Sequence, residues 1–211
     1  MSTYVPEAVI RRLPSYYRHL RDLEQEGVQQ ISSQELGERM GMTPSQIRQD
    51  INSFGGAGRQ GYGYQVSTLK EHLRGIMGLD REHRMAIIGA GRIGKAVANY
   101  TGFPREGFRT VALFDAEPTG SELVTDGATI PVYPAEELEA RLPELGASIG
   151  VLALPAGAAQ DTADRLYRLG IRAIWNFTPA DLRCPEDMAV MNVRLSESLH
   201  LLSYMMNQME K

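Results

Sequence analysis

Three glycines, Gly89, Gly91 and Gly94, stand in G-x-G-x-x-G spacing within MAIIGAGRIGKAVANY, after a short apolar run and before a helical pattern. In that context each has a task. Gly89 permits a tight turn, Gly91 lets the backbone approach a pyrophosphate, and Gly94 lets a helix pack closely on its strand. The start of that helix offers N–H groups and a partial positive charge to an anion. Asp115 ends the next apolar run, TVALFD, 21 residues beyond Gly94, where a carboxylate accepts both hydroxyls of an adenosine ribose and repels a 2′-phosphate. Ala116 and Glu117 follow it, so no Arg is at hand for such a phosphate and NAD(H) is favoured over NADP(H). No Tyr-x-x-x-Lys pair is present, and His19, His72, His83 and His200 fall in helical or linker contexts. The dinucleotide therefore reads as a ligand to be sensed and not consumed. Two other readings stay open: a small NAD-dependent oxidoreductase with an accessory helical domain, which turnover assays would reveal, and a nucleotide-binding scaffold that meets only proteins.

The elements that must position this site appear from Met85 onward. Apolar runs of four to seven residues (MAIIG at 85, TVALFD at 110, SIGVLALP at 148, RAIWNF at 172, MAVMNV at 188) alternate with helical patterns. That alternation predicts βαβ units and an α/β, doubly wound parallel sheet of the Rossmann type over residues 81–193. The polar stretch GLDREHR, 78–84, reads as the boundary before it. In residues 194–211, Leu195, Leu199, Leu202, Met206 and Met209 recur four and three apart and form a helical seam that needs a partner, either the chain's own sheet or a second subunit.

Residues 1–80 follow a different pattern, helical and short-segmented. Val9, Leu13, Tyr17, Leu20 and Leu23 are spaced for two helical pieces, with Pro14 able to open the second but not to sit inside it. Ser32 and Glu35 form a capping box ahead of SSQELGERM, and Gly41 stops that helix. Thr43 caps the next, which begins at Pro44 and turns Ile47 and Ile51 inward. Two helices joined by a short turn match a helix-turn-helix, and the outward positions Ser45, Gln46, Arg48, Gln49 and Asn52 can bond base edges or phosphates. A small helical bundle with a solvated polar face fits the same segment. The glycine-rich GGAGRQGYGYQV then predicts a hairpin wing with Arg59 at its tip, beside Gln60, and a strand run through Tyr62, Tyr64 and Val66. Arg59 suits a phosphate backbone or the minor groove, whereas Tyr62 and Tyr64 suit DNA contact or packing of the wing. The fold expected is a winged helix-turn-helix domain followed by a Rossmann domain and a C-terminal helix.

Composition narrows the class further. With 211 residues, 43% hydrophobic and 23% charged, the chain has ample length for a buried core and is not disordered. Its net charge of −4 argues against a protein that coats nucleic acid electrostatically. The acidic and basic residues of 1–80 balance, so the excess lies in the remainder. Cys184 is the only cysteine, which excludes an intrachain disulfide and a multi-cysteine metal site, and it reads as inert. No apolar run approaches a membrane span and no signal-peptide core opens the chain, so the expectation is a cytoplasmic protein with no membrane partner.

Taken together, RRLPSYYRHL, TPSQIRQDINSFGGAGRQGYGY, IIGAGRIGKAVANY, LALPAGAAQ and NFTPADLRCPE resemble the Rex family of redox-sensing transcriptional repressors, in the same order and over nearly the whole chain. The resemblance implies a homodimer that binds palindromic double-stranded operator DNA when free or bound to NAD+ and is released by NADH, with C-terminal helices exchanged between subunits. It implies that Gly89, Ala90, Gly91, Arg92, Ile93 and Gly94 cradle the pyrophosphate, that Asp115 holds the ribose, that Tyr100 lies near the nicotinamide, and that Pro155 and Asn176 border the cofactor. Arg12 matches a residue that couples the DNA-binding domain to the nicotinamide end through an Asp at the start of the last helix. The aligned residue here is Arg194, so that ion pair cannot form and two cations would repel instead. Gln49 and Gln60 stand where relatives often have a second basic residue, which implies weaker non-specific binding, a shallower salt dependence and a shifted base preference.

Overall fold

Proline and glycine divide the N-terminal part of the chain into short helices in the computed structural model, which describes residues 5–56 and 63–209. Helix α1 (Glu7–Ile10) stops short of Pro14, which lies in the first turn of α2 (Leu13–Gln25), where its missing N–H costs nothing. Gly27, at φ +78°, turns the chain into β1 (Gln30–Ile31). The Ser32 hydroxyl and Glu35 carboxylate cap α3 (Ser33–Met40) reciprocally, and Gly41 ends it in the left-handed region. Thr43 accepts from the Gln46 N–H at 3.2 Å and opens α4 (Pro44–Ser53), a cap that contributes about 1 kcal/mol. β2 (Tyr64–Gln65) then pairs antiparallel with β1 and leads straight into α5 (Val66–Ile76). These helices pack around Leu20, Leu23, Leu36, Ile47, Ile51 and Leu73, all fully buried.

Two sequence expectations need correction here. Tyr16, not Tyr17, enters the core, where its ring meets Phe54 edge-on and its hydroxyl reaches Asp50, while Leu13, Leu20 and Leu23 are buried as expected. The strand run ends at Gln65, because Val66 already begins α5, and its partner is β1. The expected wing tip with Arg59, Gln60 and Tyr62 lies outside the described residues.

Burial in this core includes one carboxylate. Asp50 accepts from Arg12 Nε at 2.7 Å and Nη2 at 2.8 Å, and from the Tyr16 hydroxyl at 2.9 Å. Removing either partner of such a pair leaves a buried charge uncompensated, at a cost on the order of 3 kcal/mol. The bond to Asp50 holds the Arg12 guanidinium above its ordinary range.

The chain divides into two compact units, residues 1–81 and 82–211. The second is a layered α/β unit. β3 (His83–Ile88) starts inside the polar stretch 78–84 and is followed by α6 (Arg92–Ala98), β4 (Phe108–Asp115), β5 (Glu122–Val124), β6 (Thr129–Pro134), α7 (Leu138–Leu145), β7 (Ile149–Leu152), α8 (Ala156–Arg168), β8 (Ala173–Asn176), β9 (Ala189–Asn192) and α9 (Leu195–Met209). The strands lie in the order β5-β6-β4-β3-β7-β8-β9, parallel except for β5. From β6 to β9 this is the doubly wound order of a dinucleotide-binding sheet, with its topological switch between β3 and β7. The β5–β6 hairpin has no counterpart in the sequence reading, since Pro131 and Pro134 break up the strand pattern of β6.

Alternate residues of the strands feed two cores. Ala86, Ile88, Phe114 and Leu152 pack under α7 and α8, and Met85, Ile87, Leu113 and Val151 pack with Val97 of α6. At the β9 end the second face ends bare, with Met191 exposed. α9 has no buried residue among those described. The chain's own sheet therefore does not cover it, and Leu201, Tyr204 and Met205 extend its exposed apolar surface well beyond the expected seam.

The N-terminal core carries its own pH signature. Burial, followed by the bond to Asp50, pushes the Tyr16 phenol far above its ordinary value of 10.0. The folded chain thus holds this proton more tightly than the unfolded chain, so the stability it contributes is complete below pH 10.0 and is lost as pH rises beyond it. Thermal unfolding followed across alkaline pH is expected to fall more steeply for the wild type than for Tyr16→Phe, and equal slopes would refute the assignment.

Candidate functional site

The crevice at the sheet's switch point is built by backbone contact. Gly89, at φ +106°, donates its N–H to Phe114 O at 2.7 Å, and a Cβ on it would strike the carbonyl of Ala153 in the loop after β7. A Cβ on Gly94 would strike the carbonyl of Gly89 itself, so α6 can lie this close to β3 only with glycine there. Gly91 is different. A side chain there would meet nothing within 4 Å, and Gly91, Arg92 and Ile93 are all exposed. No contact among the described residues requires a glycine at 91, and the open space beside it leaves room for an outside molecule to approach the backbone.

Asp115 ends β4 beside this turn. Its Oδ2 accepts from the Ala90 N–H at 2.5 Å and its Oδ1 from the Glu117 N–H at 3.0 Å, so the half-buried carboxylate is fixed at the mouth of the glycine turn. The first N–H groups of α6 have no intrahelical acceptor and face the same opening. Together these groups suit a pyrophosphate joined to a ribose. Pro155 caps α8 at the end of the β7 loop and is exposed. Tyr100, 59% exposed, follows α6 and begins an aromatic row, with ring centroids 4.5 Å to Phe103, 5.6 Å from Phe103 to Trp175 and 4.6 Å from Trp175 to Phe177.

Asn176 departs from expectation. It is fully buried and all four of its hydrogen-bonding positions are taken: Nδ2 donates to Ala180 O and Asn192 Oδ1, and Oδ1 accepts from the Thr178 N–H and hydroxyl. It shapes the loop after β8 and has no bond left for a ligand. Among the described residues, no histidine of the C-terminal unit stands at the crevice either. His83 sits at the far end of β3 stacked on Phe108, His200 is exposed on α9, and His19 and His72 belong to the N-terminal unit.

In that unit Ser45, Gln46, Arg48, Gln49 and Asn52 of α4 are all exposed, with Arg48 Nη1 donating to Ser33 Oγ at 2.9 Å. Tyr64 is not part of this surface. It is 7% exposed and packs in the core, and burial raises its hydroxyl pKa.

The two cations expected to repel each have a carboxylate in their own unit: Arg12 holds Asp50, and Arg194 Nη2 donates to Asp181 and to Ala180 O, with Nη1 reaching Thr178 O. Asp50 and Asp181 escaped the sequence reading. The signal for Asp50 was an acidic residue among the inward positions Ile47, Ile51 and Phe54; nothing in the sequence marks Asp181. Among the described residues no cluster of His, Cys, Asp or Glu could hold a metal ion, and no helix is long and apolar enough to cross a membrane.

Residues 4–52 match the family described as "Putative DNA-binding protein N-terminus", and residues 80–180 match the "CoA binding domain" family. The chain is 49% identical over 209 residues to the redox-sensing transcriptional repressor Rex of Thermoanaerobacter sp. (strain X514), covering 99% of this chain and 92% of that one. The chain belongs to the Rex family. Two solved Rex structures are similar along their whole length. The repressor RSP in complex with β-NAD+ and operator DNA is 48% identical, with a TM-score of 0.91 over 99% of this chain and 95% of that one. RSP in complex with β-NADH is 46% identical, with a TM-score of 0.87 over 99% and 97%. The relatives named here are repressors by name.

The contrast among the glycines can be measured. Gly94→Ala forces a backbone carbonyl aside and is expected to lower stability by about 3 kcal/mol, whereas Gly91→Ala should unfold at the wild-type temperature. Equal melting of the two variants would contradict this account of the turn.

Proposed function

We propose that this chain is a cytoplasmic, redox-sensing transcriptional repressor that binds palindromic operator DNA as a homodimer and is released when NADH occupies its Rossmann domain. One observation carries the reading: a similar chain, 48% identical throughout, is known in complex with both β-NAD+ and operator DNA. In this chain Gly89 to Gly94 hold the pyrophosphate, Asp115 holds the adenosine ribose, and Tyr100 and Pro155 flank the nicotinamide end. Ser45, Gln46, Arg48, Gln49 and Asn52 face the major groove, with Arg59 and Gln60 on the wing.

The physics of the switch follows from what differs between the two ligands. The oxidised nicotinamide ring carries a positive charge and the reduced ring none. Closing an apolar lid over an uncompensated cation costs more than closing it over a neutral ring, so the reduced form favours the closed dimer. The exposed apolar surface of α9, together with bare Met191 on β9, supports a lid and dimer interface supplied by a second subunit. Arg12 and Arg194 each hold a carboxylate of their own unit, Asp50 and Asp181, so neither cation stands uncompensated.

A titration of operator DNA with each dinucleotide tests the reading directly: NADH is expected to lower operator affinity and NAD+ to preserve it. Equal affinity in both arms would end the proposal. Arg48→Ala is expected to weaken operator binding on the order of tenfold while leaving NADH affinity, read by energy transfer from Trp175, at the wild-type value. Loss of both would remove Arg48 from the DNA surface.

A further inference from the structure

The helix that carries the reading face also carries an acidic side chain on its opposite face. Asp50 is 3% exposed and sits among Ile47, Ile51 and Phe54 in the core of the N-terminal unit. Its three bonds all come from one end of α2: Arg12 is the residue that caps this helix and Tyr16 lies one turn inside it. An apolar residue of similar volume would pack α4 with comparable or greater stability. Apolar contact, however, has no preferred direction, and a helix held by it alone can roll about its axis. A guanidinium fork and a phenol converging on one carboxylate fix the roll, because each bond weakens steeply off its line. Arg48 and Gln49 precede Asp50 by two residues and one, on the exposed side of the same short helix, so any roll of Asp50 displaces their tips.

We propose that Asp50 is a positioning residue for base reading: its bonds to Arg12 and Tyr16 set the rotation of α4 and so set how sharply the chain separates its operator from other DNA. The inference rests on the operator-binding function proposed above. It assigns Arg12 a task within its own unit, and it gives Tyr16 a role that its packing alone does not require.

The test uses the full-length chain, a duplex enriched by the wild type from a randomised library, and the same duplex with its sequence scrambled. Asp50→Asn keeps the size but replaces one of the two accepting oxygens with an NH2 donor, so one arm of the fork and the charge assistance are lost. It is expected to lower the ratio of enriched to scrambled affinity by about tenfold, the effect of one mis-set base contact, with scrambled-duplex and NADH affinities unchanged. Tyr16→Phe, which removes one bond, should shift the ratio in the same direction by less. A merely structural role would lower both DNA affinities together, and that result, or an unchanged ratio in both variants, overturns the proposal. Should Asp50→Asn fail to fold, Tyr16→Phe decides alone, and wild-type discrimination in it counts as refutation. If the wild type enriches no duplex at all, the operator-binding function falls and this inference with it, an outcome distinct from a wild type that discriminates and variants that do so equally well.

Discussion

Where β3 turns into α6, two stretches of backbone lie so close that no side chain fits between them. The carbonyl of Ala153 borders Gly89, and the carbonyl of Gly89 borders Gly94. Because the backbone itself forms the wall, the strand ends of β3 and β7 can part into a crevice whose floor is fixed to within the give of a peptide plane. Asp115 is then drawn to the rim by the Ala90 N–H, and the order of the remaining strands follows from which side of β3 each crossover takes. Most of what the C-terminal unit offers a ligand is a consequence of this contact.

Much of this was legible in the sequence because its causes are local. A glycine triplet after an apolar run, a Ser-x-x-Glu box and a proline in a first turn each act within a few residues, and all were found where expected. What escaped depends on partners far along the chain. Tyr16 takes the core place expected of Tyr17 with its hydroxyl on Asp50, 34 residues away, and Asp50 in turn holds Arg12, 38 residues away. In the sequence Tyr64 is open to DNA contact or wing packing, and the family resemblance places Asn176 at the cofactor. Their burial is decided by β1 in one case and by Thr178, Ala180 and Asn192 in the other.

The two units place their arginine–carboxylate pairs in different settings: Asp50, beside Arg12, is buried, whereas Asp181, beside Arg194, is exposed. Arg12 and Arg194 each hold a carboxylate of their own unit while anchoring a helix terminus, the start of α2 and the start of α9. Both contribute little net stability, because desolvation offsets the attraction in the buried pair and solvent screens the exposed one. Their value lies in direction: the guanidinium is planar and its donors fork at a fixed angle, so each pair aims the helix that follows.

α9 leaves the sheet with its leucines and methionines bare, and β9 offers no helix of its own to cover Met191. In the homodimer proposed above, a chain arranged this way keeps part of its folding free energy in its second copy. Its resistance to heat and proteolysis then rises with its own abundance, and dilution loosens it before any ligand arrives. In that reading, the number of copies a cell makes becomes an input alongside the state of its dinucleotide pool.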